Sequence, residues 1–214
     1  MNLRLALVFL VACSSRQTGP SSIPSPEELA VSAPAVQSPA VSATASDVDA
    51  TASTDEPNWL KVHAWHTDYD RGSVDVVFDR VEVIRARFDP TKVEGGTAEV
   101  EISVASLSSG VDMRDVHLKS SDYLDADKFP AATVRVDNVK KVSDNQYTAD
   151  LAVTAHDVAK TFSSTFAVVA TTADSIRVRG QVDFSRLDFK IGKADGDTVK
   201  PELQATYELT LKSR

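Results

Sequence analysis

The segment LQATYELTL, residues 203–211, puts Leu203, Ala205, Tyr207, Leu209 and Leu211 at odd positions and Gln204, Thr206, Glu208 and Thr210 at even ones. Successive side chains of a strand point to opposite faces, so this alternation describes a strand with one dry face and one wet face. The same period places Ala98, Val100, Ile102 and Val104 opposite Thr97, Glu99, Glu101 and Ser103. It also places Ile176, Val178, Val182 and Phe184 opposite Arg177, Arg179, Gln181 and Asp183. Weaker versions run through 59–66, 73–78, 81–88, 131–137, 146–155 and 161–170. Eight or nine strands follow, with turn signals at Asp70-Arg71-Gly72, Glu94-Gly95-Gly96, Asp144-Asn145 and Asp195-Gly196-Asp197. Strands adjacent in sequence and joined by short turns predict an all-β chain. Its antiparallel sheet is wide enough to close into a barrel of about eight strands or to fold into a sandwich.

A closed barrel turns its dry faces inward. The expected inward set is Val100, Ile102, Val104, Leu151, Val153, Phe162, Phe166, Val168, Val178, Val182, Phe184, Tyr207 and Leu209. The inward faces as a whole are mainly Val and Ala with only a few aromatics (Phe162, Phe166, Phe184 and Tyr207), small for long strands, which favours a ligand cavity over a solid interior. Alternation alone fits a filled barrel or a Val-rich sandwich core equally well.

One stretch breaks the pattern. VDMRDVHLKSSDYLDADKFPAATV, residues 111–134, sets charged residues among Met113, Leu118, Tyr123, Leu124 and Phe129. Asp112 suits a helix N-cap and Asp115 the first turn. Met113, Val116 and Leu118 are expected to supply apolar contacts, with Arg114 and His117 on another face. The segment therefore predicts one short helix near 111–125, a corner that shapes one end of the barrel.

The first residues, MNLRLALVFLVAC, join a basic start (Arg4) to a short apolar run, Leu5 to Ala12. The run is far below the roughly 20 residues of a spanning helix and reads as a signal peptide, residues 1–12. Leu10-Val11-Ala12-Cys13 resembles a lipoprotein lipobox, so Cys13 is the expected lipidation site and the membrane a partner through that N-terminal anchor. Ser14 after the cysteine favours the outer membrane, with the protein facing the periplasm of a bacterial envelope. Residues 13–57 are rich in Ser, Ala, Pro and Thr without helical or strand period, the composition of a disordered tether. A coil of that length spans roughly 35–40 Å. Residues 58–214 remain, a length suited to one domain with a sizeable core.

The chain carries a net charge of −8, of which −4 belongs to residues 58–214 once the leader's +1 and the tether's −5 are removed. A mildly acidic domain without a basic stripe is not expected to bind nucleic acid. Cys13 is the only cysteine, so the domain has no disulfide, thiolate metal site or cysteine nucleophile. His63 and His66 are three apart on a strand, which points them to opposite faces and spoils them as paired metal ligands. There is no Gly-x-Ser-x-Gly, His-Glu-x-x-His or phosphate loop, and no cofactor, metal or catalytic residue is expected.

The 111–134 segment resembles the signature of the YceI-like domain family. The matching positions are Gly110, Arg114, Asp115, His117, Leu118, Ser120, Asp122, Tyr123, Asp125, Phe129 and Pro130. FSRLDFKIG is similar to a second family stretch through Arg186, Asp188, Phe189 and Ile191. The resemblance covers about 72–212. It implies an extended, lipocalin-like antiparallel barrel enclosing a long isoprenoid or similar lipid, in a secreted, non-catalytic carrier or sensor. Arg114, His117 and Lys119 could then serve a polar head group near the mouth. The chain departs from the pattern at Gly72-Ser73, at Asp79-Arg80 and at His156-Asp157, the last replacing the usual glycine region. The competing expectation is a lipid-anchored interaction or stress-response adaptor whose barrel is filled.

Overall fold

The computed structural model describes residues 53–213; the leader, Cys13 and most of the tether lie outside that range. Ten strands form one antiparallel sheet: β1 (Trp59–His66), β2 (Ser73–Phe78), β3 (Val81–Asp89), β4 (Lys92–Ser103), β5 (Leu107–Ser108), β6 (Ala131–Lys141), β7 (Gln146–Ala155), β8 (Val158–Thr171), β9 (Ser175–Ser185) and β10 (Val199–Lys212). Their order is β3-β4-β6-β7-β8-β9-β10-β1-β2-β5. Alternation finds nine of them. The two-residue β5 is too short for any period to show, and it exists because it pairs with the end of β2.

The order dictates the curl. β2 and β3 lie near opposite ends of the sheet, yet only Asp79 and Arg80 separate them in sequence. A sheet whose far strands are joined by two residues must roll up, and its twist makes that roll a barrel. Side chains bridge the seam. Asn58 donates through Nδ2 to the Val81 carbonyl at 3.1 Å and accepts from the Thr210 amide at 2.8 Å. The Ser213 hydroxyl donates to the Phe88 carbonyl at 2.6 Å.

Two local expectations need correction. Glu94-Gly95-Gly96 lies inside β4, not in a turn; the β3–β4 hairpin turns at Pro90-Thr91, where the Asp89 carboxylate accepts from the Thr91 amide at 2.8 Å. Residues 54–57, grouped with the tether on composition, lie against the barrel: Thr210 and Arg177 donate to the carbonyls of Thr54, Glu56 and Pro57.

The core has two parts. Val93, Val139, Tyr147, Ile176 and their neighbours are buried toward the β3–β4, β6–β7 and β8–β9 hairpins. Val76, Phe78, Val81, Val100, Ile102 and Leu107 form a second cluster, with Leu118 and Leu124 packed on it.

The single α-helix among the described residues, α1 (Asp112–Lys119), joins the end of β5 to the corner before β6. The cap is Val111, one residue earlier than expected, so Asp112 is the first helical residue. Asp115 instead ties down the preceding loop, accepting from the Ser109 amide at 2.7 Å and from its hydroxyl at 2.5 Å.

Candidate functional site

A cavity of about 480 Å³ runs within the barrel. Its wall includes Val100, Ile102, Val104, Leu151, Val153, Phe162, Phe166, Val178, Val182, Phe184, Tyr207 and Leu209. Val168 is the exception among the expected inward residues: it packs against the cluster at the hairpin end, beyond the cavity. The backbone slips register between Val168 and Ala170, and that irregularity sits at the same level. Small side chains open the space. Val62, Ala64, Ala98, Ala132, Ala155 and Ala205 all line it.

One row of paired residues shows how the wall is built. Tyr147, Phe166, Gly180, Tyr207, Leu60, Phe78 and Leu107 follow one another across seven strands. Tyr147 stacks on Phe166 at 5.5 Å. The Tyr207 ring lies over Gly180, where a β-carbon would come within 2.5 Å of Cζ and 2.8 Å of the Phe166 β-carbon. Only glycine admits the ring there. The Tyr207 hydroxyl meets the buried Ser164 hydroxyl at 2.9 Å, and Ser164 also bonds the Gln181 carbonyl at 2.9 Å. Burial pushes the Tyr207 phenol up, more than the Ser164 bond draws it down.

Apart from Tyr207, the polar lining residues gather at the α1 end: His66, Arg114, His117, Tyr123, His156, Arg186 and Thr198. A chain of contacts fixes them. The Tyr123 hydroxyl donates to Asp197 Oδ1 at 2.8 Å, and Arg186 Nη2 lies 3.2 Å from Asp197 Oδ2. Arg186, itself buried, also donates to the carbonyls of Ile191, Lys193, Val199 and Lys200. Gly192 closes over this knot at φ +69°, with its missing β-carbon only 2.6 Å from Arg186 Nη1. Burial raises the Tyr123 phenol first, and Asp197 adds to it, so that it reaches about 12. Burial also acts to raise Asp197. The Tyr123 hydroxyl, the Val199 and Lys193 amides and the Arg186 charge outweigh it and hold the carboxyl below its ordinary range. Arg186 is thus a structural clamp whose hydrogen bonds go to the loop that follows it and to the start of β10.

The other polar residues are less committed. His66 sits opposite His63, as strand geometry requires: His66 lines the cavity, while His63 pairs with Asp75 at 2.6 Å on the other face. His66 Nδ1 is 3.2 Å from the Thr198 carbonyl. His117 touches the edge of Tyr123 at 5.1 Å and lies 3.5 Å from Asp122. His156 packs on Phe129 with ring centroids 4.3 Å apart. Arg114 faces the cavity and forms no ion pair among the described residues. Lys119 is not part of the wall; it lies beside Asp115, one helical turn away, and its charge helps keep that carboxyl low after the Ser109 bonds.

α1 also reverses its expected sides. Leu118 faces inward with Arg114 and His117, but Met113 is 86% exposed and Val116 72%. Helical spacing sets which residues share a face; what lies beneath that face is decided by the barrel. His66 and His156 were missed as wall residues. The parity of His66 with Leu60, Val62 and Ala64 carries its signal, while His156 belongs to a turn where no period applies.

The family model of the YceI-like domain matches residues 49–211. The chain belongs to the YceI-like domain family. Among curated relatives it is 39% identical over 83 residues to a UPF0312 protein of Pseudomonas putida, covering 37% of this chain and 42% of that one. It is 49% identical over 45 residues to a UPF0312 protein of Shewanella denitrificans, 21% of this chain and 24% of the relative. These alignments span less than half the length of the relatives. Among solved structures the fold is similar to Burkholderia cenocepacia BcnA, with TM-score 0.62 and 24% identity over 72% of this chain and 96% of that one. It is also similar to a Campylobacter jejuni YCEI protein, with TM-score 0.60 and 20% identity over 66% and 85%. A polyisoprenoid binding domain from Saccharophagus degradans gives TM-score 0.56 and 14% identity over 73% and 94%. At these identities the structural likeness establishes a shared fold, and with it the YceI-like barrel of the sequence reading.

Proposed function

We propose that this YceI-like chain binds a long-chain lipid, an isoprenoid or a related molecule, inside the barrel, as a non-catalytic carrier or sensor anchored to a bacterial envelope membrane. The observation that carries the reading is the cavity of about 480 Å³ walled by the dry faces of the strands. That volume lies in the roughly 300–1,000 Å³ range of pockets that hold small molecules. Each methylene leaving water gains about 0.8 kcal/mol, so a five-carbon isoprene unit gains roughly 4 kcal/mol. A chain of several units is effectively insoluble, and crossing an aqueous compartment requires an enclosed apolar container. The polyisoprenoid binding described for the Saccharophagus degradans domain supports the same ligand class.

The lipobox-like Cys13 and the tether composition support the anchor and a barrel facing the periplasm, and Ser14 supports the outer membrane. An adaptor with a filled barrel would leave no void of this size. Organic extraction of the purified protein followed by mass spectrometry tests the reading. A stoichiometric long-chain lipid is expected; preparations that are repeatedly empty and take up no added lipid would overturn it.

A further inference from the structure

The large apolar residues left exposed are not scattered over the barrel. Among the described residues there are seven, and five of them, Trp65, Tyr69, Val111, Met113 and Val116, lie at the α1 end. Trp65 is the penultimate residue of β1, and Tyr69, 93% exposed, sits in the short 3-10 turn that joins β1 to β2. Val111 precedes α1, and Met113 and Val116, three positions apart, share its outer face. Exposed apolar residues taken singly are ordinary; their collection at one end marks a surface that meets something apolar.

α1 stands between that surface and the cavity. Arg114, His117 and Leu118 line the cavity, while Met113 and Val116 are turned to the outside. The helix has eight residues, none of them buried, and Val111 gives it no side-chain cap. A helix this short does not hold by itself, so the barrel keeps it in place. An apolar surface against its outer face is separated from the cavity by one helix diameter, about 10 Å.

Reach and charge choose a lipid bilayer as that surface. The chain meets the barrel at residues 54–57, where the Thr54 carbonyl is held by Thr210 near the far end of β10. β10 has 14 residues and is about 45 Å long. Ser53 lies 40 residues after Cys13, and such a length extends to roughly 130 Å. The tether is therefore long enough for the barrel to turn its α1 end toward a membrane that holds Cys13. Residues 111–130 carry five aspartates against three lysines and arginines. That balance gives no attraction to an anionic leaflet, whereas a zwitterionic bilayer accepts the apolar side chains without repulsion.

We propose that the α1 end is a membrane-docking face. Met113 and Val116, with Val111 and Tyr69, seat in the interface of a zwitterionic bilayer, and the lipid enters and leaves the barrel past α1. This rests on the lipid-carrier reading, which supplies the cargo.

The test uses the full chain with phosphatidylcholine vesicles whose acyl chains carry bromine, a quencher of tryptophan. Met113→Trp should be quenched about threefold or more over Val142→Trp, each measured against the chain with its native Trp59 and Trp65. Val142 is also exposed but lies between β6 and β7 at the other end of the barrel, so attachment through the N-terminus alone does not single out position 113. Adding Val116→Ser to Met113→Trp should lower its quenching about twofold or more. Equal quenching at the two positions, none at either, or no loss with Val116→Ser overturns the docking face. Organic extraction of the same preparations reads the cargo separately. A lipid-filled barrel without selective quenching leaves the carrier reading standing and the docking face overturned. Selective quenching of a barrel that stays empty and takes up no added lipid overturns the carrier reading, and with it the passage of lipid past α1.

Discussion

Arg177 donates through Nε to Oε1 of Glu208 at 2.6 Å, and the pair is buried on the face of the sheet turned away from the cavity. Alternation assigns that face to water. Residues 54–57 lie across it instead, and Arg177, only 1% exposed, donates to the carbonyls of Glu56 and Pro57 at 2.7 and 3.1 Å. Arg179 completes the arrangement, with Nε 2.8 Å from Glu208 Oε2.

Arg177→Met should therefore cost about 3 kcal/mol, because it leaves Glu208 Oε1 and two carbonyls without their donor while Arg179 still holds Oε2. Urea unfolding measures the loss. Adding Glu208→Met should recover a large part of it, since removing both charges also removes their desolvation penalty.

Acid should weaken the fold through the same carboxylate. Burial acts to raise Glu208 above its ordinary 4.5, but the bonds and charges of Arg177 and Arg179 leave it lowered. Asp197 is likewise lowered from 3.8, as is Asp75, mainly by its bond to His63. A carboxyl lower in the folded than in the unfolded state stabilises fully above its unfolded value, and that contribution disappears as pH falls through the folded value. Unfolding free energy should thus hold steady from neutrality to about 4.5 and decline below it. Glu208→Gln should make the decline shallower.

Tyr123→Phe removes the hydroxyl that supports Asp197 and should destabilise by about 1–3 kcal/mol, measured by thermal or urea unfolding. The same variant should lose a phenol that ionises at about 12, seen as the difference between wild-type and variant alkaline absorbance titrations.

Gly180→Ala sets a methyl against the Tyr207 ring and the Phe166 β-carbon. Displacing that ring should cost about 1–3 kcal/mol of stability and disturb the bond to Ser164. A crystal structure of the variant would show Tyr207 swung away from Gly180.

Val153→Phe, by contrast, grows into open space. It should change stability by less than about 1.5 kcal/mol while lowering the amount of lipid recovered per protein by extraction and mass spectrometry. Unchanged lipid occupancy would place the ligand somewhere other than the cavity.

Alternation in the chain settles the strands and which side chains share a face, because a period of two is a local property of extended backbone. Leu203 to Leu211, Ala98 to Val104 and Val178 to Phe184 all turn inward as their alternation requires. It also marked the 111–134 interruption as a corner, and its motif led to the family. Tertiary structure decided what each face meets. It buried Arg177 under residues 54–57, exposed Met113 and Val116, stopped the cavity before Val168 and brought His66, Arg114, His117 and His156 to one end. Those outcomes depend on how far the sheet curls and what crosses its ends, which are long-range consequences of strand order that no local period encodes.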